Sequence, residues 1–111
     1  METTVNILYL GKHPEILDTV VRLINQNESW NGIGISDFDL ARAVFTTLDF
    51  HVVLFGCGIE EKDETELRQF FAMNNPNTKL VQHYGGGSGL LSNEIYAALS
   101  GNTTAMPSFL S

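Results

Sequence analysis

Residues 85–89, Gly85, Gly86, Gly87, Ser88 and Gly89, follow His83 and Tyr84 at the end of a strand-like stretch and lead into a helix-like one. Glycine lets the backbone take left-handed or crowded conformations that side chains forbid. A strand, a glycine loop and a helix N-terminus in that order can aim several backbone N–H groups at one point, which suits an anion. Two shorter groups of the same kind follow other apolar runs: Gly11, Lys12 and His13, and Gly56, Cys57 and Gly58. Lys12, His13, Gly56, Cys57, His83, Tyr84, Gly85, Gly86, Gly87 and Ser88 are therefore the candidate ligand-binding residues. The ligand would be a small anion: a phosphate group, a carboxylate or a nucleotide phosphate. The plainer alternative, glycines that only make tight strand-to-helix turns, weighs more.

Other chemistries find less support. Residues 85–89 are not followed by the Gly-Lys-Ser/Thr of a P-loop, and they do not match G-x-G-x-x-G in its usual first-strand context. Cys57 could be a nucleophile or redox thiol. However, no arginine follows it at phosphatase-loop spacing, and the nearby acids Glu60, Glu61, Asp63 and Glu64 would disfavour a thiolate. A small buried residue is the simpler reading of Cys57. His13, His51 and His83 are too dispersed for a metal motif, and His51 stands at the opposite end of its strand from the other two. The acids from Glu60 to Glu66 suit the solvated start of a helix. Trp30 and Phe50 read as core plugs, and Tyr96 as either a core residue or a partner contact.

The elements that must position these residues follow from hydrophobic periodicity. Residues 5–10 form a buried strand stopped by Gly11, and Pro14 opens a helix whose apolar stripe is Ile16, Leu17, Val20, Leu23 and Ile24. Residues 32–35 form a short second strand. Ser36 or Asp37 caps a second helix, with Leu40, Ala43, Val44, Phe45 and Leu48 as its buried candidates. Residues 51–55 form a central third strand. The third helix is expected from about Asp63 or Glu64 to about Met73, with Leu67, Phe70 and Phe71 inward. Residues 79–83 form a fourth strand, and a last helix runs from about Leu90 or Ser92 to Leu99, closed by Gly101.

Strict strand–helix alternation implies an α/β three-layer sandwich around a mostly parallel four-stranded sheet. The flavodoxin-like order 2-1-3-4 is expected, with residues 1–101 as one domain and 102–111 as a C-terminal tail. Ligands in such sheets bind outside the carboxyl ends of the strands, where the candidate residues fall.

Composition narrows the function classes. Of 111 residues, 43% are hydrophobic and 17% charged, which suits one globular domain. Thirteen acidic against six basic residues give a net charge of −7, which repels nucleic-acid backbones and anionic membranes. The lone Cys57 excludes an internal disulfide and suits a reducing compartment. The polar residues 1–6 do not read as a signal peptide, so a cytoplasmic location is expected. No apolar run is long enough to span a membrane.

From Ile33 to Gly56 the chain runs as a second strand, a helix starting near Asp37 and a short link into a hydrophobic strand. That cadence resembles the receiver domain of bacterial response regulators, over roughly residues 5–84. The resemblance implies a signalling role, but not phosphoryl chemistry. Receivers place two acids after the first strand to hold Mg²⁺; here Gly11, Lys12 and His13 stand there. They place the phosphoacceptor aspartate at the end of the third strand, where this chain has Gly56. Their Ser/Thr after the fourth strand corresponds to about Tyr84, and no downstream lysine is followed by proline. Receivers also carry a fifth strand and a further helix.

The expectation is a truncated, phosphorylation-incompetent pseudo-receiver that works through protein contacts, as a homo-oligomer or with another protein. A small-anion-binding domain is the alternative. An enzyme ranks last, because no nucleophile–base–orienter set can be assembled. No cofactor and no metal are expected.

Overall fold

The computed structural model describes residues 4–56, 58–82 and 88–100. Four strands, β1 (Val5–Leu10), β2 (Trp30–Ile35), β3 (Val52–Phe55) and β4 (Lys79–Gln82), form one sheet in the order β2-β1-β3-β4, with every neighbouring pair parallel. Between and after them run α1 (Pro14–Ile24), α2 (Phe38–Phe45), α3 (Glu61–Asn74) and α4 (Ser88–Ser100). This is the α/β sandwich and strand order expected from the sequence.

β3 and the β1 stretch from Ile7 to Leu10 are fully buried because both faces of the sheet are covered, as parallel sheets require. Alternation along β1 sends Ile7 and Tyr9 to the face packed by Val20 and Ile24 of α1 and by Leu91, Ile95 and Ala98 of α4. Leu8 and Leu10 go to the other face, against Ala41 and Phe45 of α2 and Leu67 and Phe71 of α3. On that second face the Phe45 and Phe71 rings tilt together at 4.5 Å between centroids, and Phe50 stacks on Phe45 at 5.9 Å. Phe50 and Trp30 are both buried, as core plugs should be.

The helices begin and end for local reasons. Pro14 supplies the preset φ of a first helical position. Asp37 caps α2, its carboxylate accepting from the N–H groups of Asp39 and Leu40 at 3.0 and 3.4 Å. Thr78 leads into β4 and is buried with its hydroxyl donating to the Phe50 carbonyl at 2.7 Å.

Several boundaries and faces differ from the sequence reading. β2 starts at Trp30 rather than Gly32, because β1 pairs with it from the Val5–Trp30 position onward. In α2 the buried stripe is Ala41 and Phe45, an i,i+4 pair, whereas Leu40 is 51% exposed, and Leu48 lies beyond the end of the helix and is 42% exposed. α3 begins at Glu61, before the expected Asp63; Glu61, Asp63 and Glu64 all lie in its first turn, where the helix dipole favours them. α4 begins at Ser88, earlier than expected. Residues 102–111 lie outside the described residues. No helix among the described residues is long and apolar enough to cross a membrane.

Candidate functional site at the carboxyl edge of the sheet

Because all four strands run the same way, the segments following β1, β2 and β3 converge on one edge. Two main-chain hydrogen bonds extend the sheet into it: Gly11 N–H to the Ile35 carbonyl at 3.4 Å, and Gly56 N–H to the Leu10 carbonyl at 2.7 Å. Gly11 and Gly56 are buried, and Lys12 and His13 are exposed.

Tyr9 organises this edge. It is fully buried, and its ring packs over the two glycines. A Cβ built at Gly11 would stand 3.1 Å from Tyr9 Cε2, and one at Gly56 would overlap the phenol outright. Gly56 is therefore needed for space: the position where a receiver carries its aspartate is hemmed in by an aromatic ring. Gly58 is needed for conformation, with φ of 81° in the left-handed region, and a Cβ there would press on Lys12 Cβ at 2.9 Å. Sequence reasoning missed Tyr9. Its signal was a polar-tipped aromatic among the aliphatic Ile7, Leu8 and Leu10, two residues before Gly11.

Lys12 does not reach freely over the edge. Its ammonium donates to the Ser36 carbonyl at 3.1 Å and lies 4.1 Å from the centroid of the Phe38 ring. It thereby ties the end of β1 to the start of α2. Asp37, two residues after β2, is committed to its cap. His13 is the N-cap of α1 without a side-chain cap bond. On the α3 side, Arg68 pairs with Glu64 at 2.7 Å and lies over the Phe55 ring at 4.5 Å from its centroid. Both cations are thus already engaged with this chain's own groups.

Lys12 and His13 follow β1 and Gly56 follows β3, so all three lie at the carboxyl edge. Cys57, His83, Tyr84, Gly85, Gly86 and Gly87 lie outside the described residues, and Ser88 is described only as the first residue of α4. Among the described residues, no group of three His, Cys, Asp or Glu side chains is placed to hold a metal ion. An open groove beside the edge is lined by Pro14, Glu15, Leu17, Asp18 and Ser36. A separate cleft of about 220 Å³ lies at the opposite, amino edge, between Phe50, His51, Asn75, Lys79, Ala98 and Leu99. His51 is held there, its Nδ1 accepting from the Asn6 N–H at 3.1 Å.

No protein-family model and no curated protein sequence matches the chain. Solved structures do. The non-phosphorylated receiver domain of the stress response regulator RcsB from Escherichia coli aligns with 86% of this chain and 76% of its own, at 20% identity and a TM-score of 0.60. RcsB from Salmonella enterica serovar Typhimurium, bound to promoter DNA with a phosphomimetic beryllofluoride, aligns over 88% of this chain at 18% identity and a TM-score of 0.68. This chain spans 63% of that regulator's length. The lactose-specific IIB component of a phosphotransferase system from Streptococcus pneumoniae aligns over 95% of this chain and 100% of its own, at 10% identity and a TM-score of 0.62. The chain has the α/β fold of a response-regulator receiver domain, built on the four-stranded sheet β2-β1-β3-β4.

Proposed function

We propose that this receiver-like domain does not accept a phosphoryl group and acts instead through protein contacts, chiefly with copies of itself. The observation that carries this reading is Gly56: it occupies the end of β3, and the Tyr9 phenol fills the space a side chain there would need. Lys12, anchored on Ser36 and Phe38, stands where the resemblance requires a Mg²⁺-holding acid. A cation in that place repels a divalent metal and offers it no oxygen ligand. No nucleophile–base pair is visible among the described side chains of the edge, so the domain is read as a regulator or scaffold and not an enzyme.

The neighbours bound to DNA are longer regulators, and their DNA contacts belong to those proteins. A net charge of −7 opposes DNA binding by this domain and favours protein partners in a cytoplasmic setting. The reading is tested by incubating the protein with a small-molecule phosphodonor and Mg²⁺ and weighing the intact chain by mass spectrometry. No phosphoryl increment is expected; stoichiometric incorporation would overturn the reading.

One observation favours a second reading, a small-anion site. α4 opens at Ser88, directly after the glycines 85–87, so its first N–H groups lie at the start of a helix beside a glycine run. A thermal-shift series with inorganic phosphate, nucleotides and carboxylates tests it. A concentration-dependent rise in melting temperature, abolished by Gly86→Ala, would establish this site.

A further inference from the structure

The two edges of the sheet are finished differently. Along a strand, successive residues direct their main-chain groups to opposite sides. In β2 the Ile35 carbonyl points to β1, where it accepts from Gly11 N–H, so Trp30, Gly32 and Gly34 point outward. The chain itself covers most of that outer side. The Asn25 carboxamide behaves like a short piece of strand: its Oδ1 accepts from Gly32 N–H at 2.8 Å and its Nδ2 donates to the Gly32 carbonyl at 3.2 Å. Trp30 N–H donates to the Asn27 carbonyl at 3.0 Å.

β4 has no such cover among the described residues. Lys79 N–H donates to the His51 carbonyl of the β3 side at 2.9 Å, so Val81 also faces β3 while Leu80 and Gln82 turn their N–H and C=O groups outward. An open strand edge is a template for another strand. The chain's own continuation is a poor candidate. The β2-to-β3 and β3-to-β4 connections step in one direction across the sheet, with α2 and α3 on one face, whereas the β1-to-β2 connection steps the opposite way with α1 on the other face. That division is what right-handed crossovers require. α4 lies on the α1 face. A parallel strand laid beyond β4 after α4 would therefore make a left-handed crossover, which folds almost never use.

We infer that the outer edge of β4 pairs antiparallel with β4 of a second copy, about a two-fold axis normal to the sheet at Val81. This rests on the self-association reading above and names its surface. In that register Val81 faces its own equivalent, and Leu80 lies opposite Gln82 of the second copy. Leu80 and Gln82 are the two β4 residues with outward main-chain groups, so each such pair exchanges both of its hydrogen bonds and none of these groups is left over. The axis keeps like faces together, so the sheet continues from one copy to the next with Leu80 and Gln82 side chains on the α2/α3 side and Val81 on the α1/α4 side. The strand is short, four residues, so the pairing makes a dimer that depends on concentration.

The test combines light scattering with amide hydrogen exchange on the wild-type chain, Leu80→Pro and Gln82→Pro. Either proline removes one outward N–H and leaves the β3 ladder its donors. Wild type is expected to pass from monomer to dimer between about 10 and 500 µM, the range of a weak specific contact. Over the same range the Leu80 and Gln82 amides should slow in exchange, while the outward Gly34 amide of β2 stays fast. Both proline variants should stay monomeric, with a native far-ultraviolet spectrum showing that they fold.

A wild-type dimer with fast Leu80 and Gln82 amides, or one that survives both prolines, would overturn this surface and leave self-association standing. A wild-type monomer throughout would overturn both. A monomer whose Leu80 amide is protected at every concentration would show that the chain covers its own edge, and would overturn the dimer. The amide measurement stands without the variants, so a proline chain that fails to fold does not remove the test.

Discussion

Gly56 and Tyr9 form one unit, because the ring occupies the volume that any side chain at position 56 would enter. Gly56→Ala should cost about 1–3 kcal/mol, the usual range for forcing atoms into a packed interior. Chemical denaturation measures this directly, and an unchanged midpoint would mean that the ring moves aside freely. Gly56→Asp should not restore phosphoryl acceptance, since the carboxylate would meet the ring and Lys12 supplies no oxygen for Mg²⁺. Intact mass after treatment with a phosphodonor checks this. At this scale the sequence was informative about which residues reach the carboxyl edge: Lys12, His13 and Gly56 are where the strand pattern put them. It could not show that Lys12 is turned onto Ser36 and Phe38, because that contact joins residues brought together only when β1 and β2 pair.

The asymmetry of the sheet edges belongs to the elements. Asn25→Ala should remove the two hydrogen bonds that cover Gly32, expose the outer side of β2 and destabilise the domain by about 1–2 kcal/mol. It should also promote association beyond the dimer, visible as larger species in light scattering. Asp37→Ala removes the cap of α2 and should cost about 1 kcal/mol in a denaturant titration, without affecting association.

Elements were legible where local chemistry and tertiary demand agree. β1 is apolar and buried from Ile7 to Leu10 because it is central, and α1 has a proline at its start and buries Val20 and Ile24 of the expected stripe, while Ile16 at the stripe's start is exposed. They were less legible where several apolar residues adjoin. In α2, Leu40, Ala41, Ala43, Val44 and Phe45 allow more than one helical face, and the contact with Phe71 chose the one through Ala41 and Phe45. The start of α3 was misplaced because Glu60 caps it without a side-chain bond, leaving no strong capping signal at the true boundary. The asymmetry of the sheet edges was not readable at all. Asn25 resembles any polar residue ending a helix until its carboxamide is seen against Gly32.

Across the whole molecule, charge would set the conditions for the proposed association. Two copies each carrying −7 repel one another at a distance, and salt screens that repulsion within about 10 Å at 0.1 M. The dimer fraction at fixed protein concentration should therefore rise as sodium chloride is raised from about 20 to 300 mM, where the screening length shortens severalfold. Sedimentation velocity at each salt concentration measures it, and a falling dimer fraction would point to an attractive charged contact in place of a main-chain one.

On the proposed reading, the glycine at the end of β3 and a β4 edge uncovered among the described residues separate association of this domain from phosphorylation. The most direct measurement is light scattering at one fixed concentration near the dimerisation midpoint, with and without beryllofluoride and Mg²⁺. The account predicts the same mass-average in both, because neither ligand has a seat beside Gly56. A shift in mass on adding them would contradict it, by showing that the carboxyl edge still binds a phosphoryl mimic and still controls association.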